Sequence, residues 1–421
     1  MFSPDNFYDF FITKYGWDSH RVMPWIPESP GDKDIKKWIP STIDVSERNQ
    51  KNGLAKYSVH GVVILHDQEP FFSGMLDIYR EKINQSLNDS LGKFVDNENY
   101  FLRHWNSCSW PVFCHSEKNS KDIDWLKSIG VIDCHYFYHG LISRDWFRHW
   151  KHHPGLSPKT TWKQRFLLYV RDVEGSREYR KKVLEDLVTC RAHIKHNWDQ
   201  KSTITSDYSA KIVVPDAQET GIHLVAETVF DDGKIHLTEK IFKPIVMCQP
   251  FIIYAGPGAL DYLKSYGFKT FSDIWDESYD LEPDHDRRRA MIKKLVEDLC
   301  SIDDQKFCEI LEKCLSIVEY NQKHFYSDDF EKILLDELDS NIISAYSRQK
   351  ELLEKFPGGS FFYSVDCLIK QGINFSQHKK ISPRFHHSAK YLKNTIIILQ
   401  SQHPSKWEEI RRTYKWADTI V

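Results

Sequence analysis

The chain has 421 residues, of which 57 are Lys or Arg and 60 are Asp or Glu, so its formal net charge is -3. This near balance argues against a protein that binds polyanions over its whole surface, although it is compatible with a local basic groove. The hydrophobic fraction of 41% excludes a disordered chain, and the length is sufficient for two or three domains.

The nine cysteines have no CxxC pairs and no regular spacing. This pattern favours reduced, buried thiols over a disulfide framework or a zinc site, so we expect a cytoplasmic protein. Residues 1–5 lack the basic and then apolar order of a signal peptide. Because no apolar run has the length of a membrane span, we predict a soluble protein without a transmembrane segment.

Residues 1–55 are rich in Trp, Pro and charged side chains without sustained periodicity, and they predict an irregular N-terminal arm. The first predicted strand covers residues 57–65, whose apolar end is typical of a buried parallel sheet. A polar cluster that contains Asp67 and Glu69 follows it directly. Ligands of open α/β sheets bind at the carboxyl ends of strands, so both carboxylates are candidate site residues.

Two further predicted strands end in polar side chains, and a helix lies between them. Residues 110–114 are followed by Glu117, and residues 131–138 are followed by His139. The alternation of strands and helices predicts an α/β, Rossmann-like domain over residues 56–150. Glu117 is a third candidate site residue, whereas a lone histidine such as His139 is more often a structural hydrogen-bonding residue.

The pattern starts again after a linker rich in Trp, His and Pro. Residues 165–170 predict a strand, and a helix begins at Arg177. Arg171 lies in the turn that joins them, and a solvated helix surface is the simplest alternative role for these arginines. We assign residues 164–320 to a second Rossmann-like domain.

The stretch from residue 211 to residue 280 contains a complete βαβ step. Apolar runs at 212–214 and 223–226 come first, and the second run stops at Glu227. A helix follows a turn, and the apolar residues behind Pro250 favour another strand. A carboxylate at the end of an apolar strand needs solvent or a polar partner, so Glu227 is a candidate site residue.

The helix of this step begins with Thr238, Glu239 and Lys240. The Thr238 hydroxyl is able to cap the first turn, and Glu239 suits the positive end of the helix dipole. A helix N-terminus at the carboxyl end of a parallel strand is a position where phosphate groups bind, and Lys240 adds a full positive charge there. Taken alone, however, these three residues are also simply a well-capped first turn.

The order of these segments resembles the donor-binding signature of the inverting alpha-1,3-fucosyltransferase family, whose members use GDP-fucose and have the GT-B fold. In that family a strand ends in Phe-Glu-Asn, Thr-Glu-Lys opens a helix, and a Pro-Val-Val strand leads to a Gly-Pro turn. The corresponding segments of this chain are Ala226–Thr228, Thr238–Lys240, Pro250–Ile253 and Gly256–Pro257.

The resemblance implies donor-binding roles. Glu239 would accept hydrogen bonds from the ribose of the nucleotide, and Lys240 and Arg177 would contact its diphosphate. Thr238, Glu227 and Arg171 belong to the same candidate set. The family has Ser-Asn at the turn where this chain has Arg171-Asp172, which puts the hydrogen bonds of that turn in doubt.

The resemblance also implies a catalytic base. The family has a carboxylate at a strand end, followed by Ser-Pro or Asn, and Glu69 with Pro70 takes that place in this chain. Asp67 and Glu117 are the alternatives. A carboxylate is needed because the acceptor hydroxyl loses its proton as it attacks the anomeric carbon.

The fold that follows from the resemblance is α/β with GT-B architecture, in which two Rossmann-like domains face a cleft. From residue 286 to about residue 354 the sequence has the periodicity of amphipathic helices. We therefore predict that residues 321–421 form C-terminal helices and a tail that cross back to the first domain.

The sequence thus predicts a glycosyltransferase that moves a sugar from a nucleotide-diphosphate donor, with a GDP-sugar favoured, to an acceptor hydroxyl with inversion. We expect neither a metal nor a cofactor, and a glycan or another hydroxyl compound as acceptor. One alternative is a phage-type DNA-base glycosyltransferase acting on hydroxymethylated bases, although the net charge does not indicate a nucleic-acid partner. The other is a non-catalytic module that binds a nucleotide or a glycan.

Overall fold

The computed structural model describes the chain over residues 22–24, 63–66, 70–71, 112–128, 132–170, 173–197, 211–231 and 233–355. These residues divide into two compact units. The first-sheet unit contains the described residues up to 115, together with 121–128, 132–135 and 338–355, and the second-sheet unit contains 116–120 and 136–337. In the described part of the chain, no helix combines the length and the apolar character needed to cross a membrane.

The first-sheet unit has four parallel strands in the order β1-β2-β3-β4. Its elements are β1 (Val22–Pro24), β2 (Val63–His66), β3 (Val112–His115), helix α1 (Lys121–Ser128) and β4 (Ile132–His135). Strand β3 is buried throughout, as its apolar sequence predicts. Strand β1 lies in the segment predicted to be an irregular arm, where three residues are too few for a periodic signal.

The second-sheet unit also has a parallel sheet, but its strands have the order β6-β5-β7-β8. They are β5 (Gln164–Leu168), β6 (Ile194–His196), β7 (Thr220–Ala226) and β8 (Phe251–Tyr254). The chain leaves β5 in one direction to form β6 and then returns past β5 to form β7 and β8. This reversal creates a topological switch point between the carboxyl ends of β5 and β7, where open α/β sheets bind their ligands.

Helices connect and cover these strands. They are α2 (Tyr138–Trp146), α3 (Tyr179–Asp186), α4 (Val214–Glu219), α5 (Glu239–Val246), α6 (Ala259–Ser265), α7 (His285–Ser301), α8 (Asp304–Phe325) and α9 (Asp328–Lys355). Asp284 and Asp303 cap α7 and α8, because each carboxylate accepts a backbone N–H of the first turn. Helix α9 belongs to the second-sheet unit up to residue 337 and to the first-sheet unit from residue 338.

Helix α5 is held by its apolar side. Ile241, Phe242, Ile245 and Val246 are all at most 1% exposed. The Phe242 ring lies 5.2 Å from the Phe325 ring, measured between ring centres. Burial of each such side chain stabilises the fold by about 1.5–3 kcal/mol, so the start of α5 has a firm support.

Two local predictions differ from the structure. Strand β4 ends at His135, and Tyr138 already begins α2, so the predicted strand 131–138 is too long. Its aromatic end favours a strand by propensity, but these rings pack in the core around a turn instead. The apolar run 212–214 leads into α4, whose first turn contains Pro215, a residue favoured at that position.

Candidate functional site

The carboxyl end of β7 places Glu227 beside the start of α5. Glu227 is fully buried, and its two carboxylate oxygens accept hydrogen bonds from the backbone N–H and the hydroxyl of Thr238, at 3.2 and 2.6 Å. Burial raises the pKa of Glu227, while Lys240 and the Thr238 donors act in the opposite direction. The strand end and the helix start are therefore tied together by a single side chain.

Thr238 is the N-cap of α5, as predicted from its position before Glu239. Its hydroxyl accepts the backbone N–H of Lys240 at 3.4 Å and the Lys240 ammonium at 2.9 Å. The same hydroxyl donates to Glu227. It therefore links the buried carboxylate to the lysine through two consecutive hydrogen bonds.

The Lys240 side chain is 29% exposed, and its ammonium contacts three oxygen atoms. The Nζ atom lies 2.9 Å from Thr238 Oγ1, 3.2 Å from Glu239 Oε1 and 3.3 Å from Thr228 Oγ1. An ammonium has three hydrogens, so these three acceptors use all of them. An incoming anion has to replace one, and the contact with the Thr228 hydroxyl is the longest.

Glu239 lies between Lys240 and His139. Its side chain is only 7% exposed, and Oε2 lies 3.6 Å from Nδ1 of His139, which is on α2. Burial alone would raise the pKa of Glu239, but Lys240, His139 and Lys243 together outweigh burial and hold the pKa well below its usual range. Glu239 is therefore an ionised hydrogen-bond acceptor at the edge of the sheet.

Arginine also reaches the end of β7. Arg180, in α3, is buried and donates to the carbonyl oxygens of Ala226 and Glu227 at 2.8 and 2.7 Å. The hydroxyl of its neighbour Tyr179 donates to the same Glu227 carbonyl at 2.6 Å. Arg177, the predicted diphosphate ligand, lies half-buried in a 3₁₀ turn before α3.

Glu117 has a buried ionic partner that the sequence did not indicate. It lies 3.5 Å from Lys234, and both side chains are 1% exposed. Beside this pair, the backbones of Lys118 and Ile235 exchange two hydrogen bonds of 3.0 and 2.9 Å. Glu117 thus contacts the loop that leads to Thr238, and its predicted alternative role as a catalytic base stays a prediction.

The Gly-Pro turn after β8 has a steric explanation. A Cβ atom on Gly256 would lie 2.0 Å from the carbonyl oxygen of Lys234. Only glycine allows the backbone to pass so close to another backbone segment. The turn and the loop before α5 therefore fit together at this position.

Three predicted site residues lie outside the described residues: Asp67, Glu69 and Arg171. Pro70 and Phe71, which follow Glu69, are buried, and the Phe71 ring packs on Phe113 with the ring centres 5.6 Å apart. The structure brings together Glu227, Thr238, Glu239 and Lys240. Compared with family models, with curated proteins and with solved structures, the chain has no significant match.

The structure adds two residues to this cluster, His139 and Thr228. Thr228 was recognisable as the residue next to Glu227, although its hydrogen bond to Lys240 was not. His139 precedes Glu239 by 100 positions in the sequence, so no local spacing pairs them.

Proposed function

We propose that the chain is a glycosyltransferase that uses a nucleotide-diphosphate sugar and has GT-B architecture, with the donor bound by the second-sheet unit. One observation carries the proposal. The predicted donor residues Glu227, Thr238, Glu239 and Lys240 form one hydrogen-bonded cluster at the start of α5. This cluster follows β7, one of the two strands that border the switch point of the sheet.

The charges of the cluster suit the two polar parts of a nucleoside diphosphate. The ionised Glu239 accepts hydrogen bonds from ribose hydroxyls, as acidic residues do at the switch points of nucleotide-binding sheets. The Lys240 ammonium binds the diphosphate in exchange for its contact with Thr228. The backbone N–H groups of the first turn of α5 and the helix dipole favour the same anion.

In the reaction we propose, the oxygen of the acceptor hydroxyl attacks the anomeric carbon of the donor sugar. The bond from that carbon to the diphosphate oxygen breaks, and the nucleoside diphosphate leaves with the electron pair. A carboxylate takes the proton of the hydroxyl, and Lys240 stabilises the charge on the leaving group. Glu69 is the proposed base and Asp67 the alternative, while Glu117 is already engaged with Lys234.

The resemblance to fucosyltransferases favours a GDP-sugar with a fucose-like group as donor. The acceptor class is open among glycans, lipid-linked saccharides and hydroxymethylated DNA bases. Inversion is expected for a direct displacement, because the acceptor attacks the face opposite the leaving group.

The test is release of nucleoside diphosphate from GDP-, UDP- and CDP-sugars by the full-length protein, with and without candidate acceptors. We expect one donor to be turned over. Glu69→Gln should reduce turnover by about 100- to 10,000-fold and leave nucleotide affinity within about twofold. Wild-type protein that binds a nucleotide but turns over no donor would be a binding module, and wild-type protein that binds none would end the proposal.

A further inference from the structure

The two carboxylate oxygens of Glu239 face cationic or titratable side chains on different helices. Oε1 accepts from the ammonium of Lys240, its neighbour on α5, at 3.2 Å. Oε2 lies 3.6 Å from Nδ1 of His139, in the first turn of α2. Both side chains of the His139–Glu239 pair are at least nine-tenths buried, so water screens their interaction weakly.

His139 is itself held in place. Its ring packs edge to face on the His236 ring, with 5.5 Å between the ring centres. The backbone N–H of the preceding Tyr138 donates to the Ser116 hydroxyl at 3.1 Å. At the following residue, Gly140, a Cβ atom would lie 2.8 Å from a methyl group of Leu334, so the backbone there is closely packed. The backbone on both sides of His139 is thus held, and its ring is buried against His236.

A carboxylate with one anchor still rotates, because the terminal torsion of Glu is broad. A second anchor on the other oxygen fixes the plane of the group and the directions of its free lone pairs. We propose that His139 is a positioning residue of the nucleotide site: it acts through Glu239 and orients this carboxylate toward the ribose hydroxyls. This inference rests on the proposed function, since it requires that Glu239 receives a ribose.

If His139 acts through Glu239, its contribution to nucleotide affinity requires the ribose hydroxyl that Glu239 binds. Calorimetric titration of the full-length protein uses GDP and 2′-deoxy-GDP, or the same pair of UDP or CDP if the wild type prefers that base. We expect His139→Ala to lower the affinity for the ribonucleotide by about tenfold and the affinity for the deoxynucleotide by less than about twofold. In a Glu239→Gln background, His139→Ala should have no further effect. His139→Gln, which keeps a polar N–H group of similar reach near Oε2 of Glu239, should restore most of the affinity.

An equal loss on both nucleotides would show that His139 only supports the fold, and no loss would show that Glu239 needs no second anchor. Either result overturns the inference and leaves the proposed function intact. If His139→Ala does not fold, His139→Asn replaces it, because its shorter side chain cannot reach Glu239. A wild-type protein that binds none of the ribonucleotides would overturn both the proposed function and this inference.

Discussion

Helices α5 and α6 begin after neighbouring strands of the same sheet, yet their N-termini are occupied differently. At α6 the carboxylate of Asp280 accepts the backbone N–H of Leu260 with both oxygens, at 3.0 and 3.1 Å, and Asp280 is 5% exposed. At α5 the cap is the neutral hydroxyl of Thr238, and the Lys240 side chain beside it is 29% exposed.

The difference shows why a helix start alone does not define an anion site. The α6 start has a built-in, buried anion, so a second one would meet an occupied position and a like charge. At α5 the carboxylate of Glu227 lies behind the cap, that of Glu239 is buried and paired with Lys240, and the more exposed group is the Lys240 side chain. The positive end of the α6 dipole is therefore neutralised by Asp280, whereas the start of α5 has a partly exposed cation beside it.

The largest effect is expected at Gly256, where the turn before α6 passes the loop before α5. Gly256→Ala places a methyl group 2.0 Å from the carbonyl oxygen of Lys234, a backbone atom that cannot move aside as the end of a flexible side chain could. We expect a loss of at least about 3 kcal/mol in the free energy of unfolding, measured by urea denaturation with tryptophan fluorescence. Gly233→Ala is the matched control, because its φ of +73° is strained but its surroundings are open. It should cost about 1 kcal/mol, and equal costs would contradict the close approach.

A smaller effect is expected at the cap of α5. Thr238→Val removes the hydroxyl that donates to the buried Glu227 and accepts from Lys240. The unfolding free energy should fall by about 2 kcal/mol, since a buried carboxylate oxygen loses a donor. Thr238→Ser keeps the hydroxyl and should cost less than half as much. If Ser and Val behave alike, the relay through Thr238 does not contribute to stability.

The smallest effect is expected for Asp280 at the start of α6, and it concerns the pH dependence of stability. Burial raises the pKa of Asp280 to about 6, against the opposing hydrogen bonds from the N–H groups of Leu260 and Asp261. The folded protein therefore binds a proton more tightly than the unfolded chain, whose aspartate titrates near pH 4. The contribution of Asp280 to stability is then present below about pH 4 and lost as the pH rises to 6 and above.

Asp280→Asn tests this sign. As the pH falls from 7 to 5, the free energy of unfolding of the wild type should rise by about 1 kcal/mol relative to the variant, which does not titrate at this position. Thermal midpoints of both proteins at the two pH values give the comparison, because other titrating groups cancel in the difference. A parallel pH response of the two proteins would mean that Asp280 keeps an ordinary pKa when folded.

The sequence predicted the α5 start well because its signals are local. Thr238 as N-cap and Pro250 as helix stop act within a few residues, and the helix observed from Glu239 to Val246 fits between them. The buried strands β7 and β8 were evident as apolar runs. The α6 cap was not, since Asp280 follows the helix by 15 residues and reaches it only through the tertiary fold.

Contacts between residues far apart in the sequence were not predicted. Glu117 was interpreted from its position after a strand, which says nothing about Lys234, 117 residues further on. The same holds for His139 and Glu239. Charged pairs of this kind are set by packing between elements, and a single sequence has no signal that joins them.

The most direct test of a nucleotide site at the α5 start is calorimetric titration of the full-length protein with GDP, UDP, CDP and their sugar conjugates. We predict that one nucleotide binds, and that Lys240→Met weakens it about 10- to 100-fold, as expected for a charge-assisted hydrogen bond. Lys264→Met, on α6, replaces a lysine that pairs with Asp261 at 2.6 Å and should leave the affinity unchanged. Absence of binding to the wild type, or undiminished binding to Lys240→Met, would contradict the account.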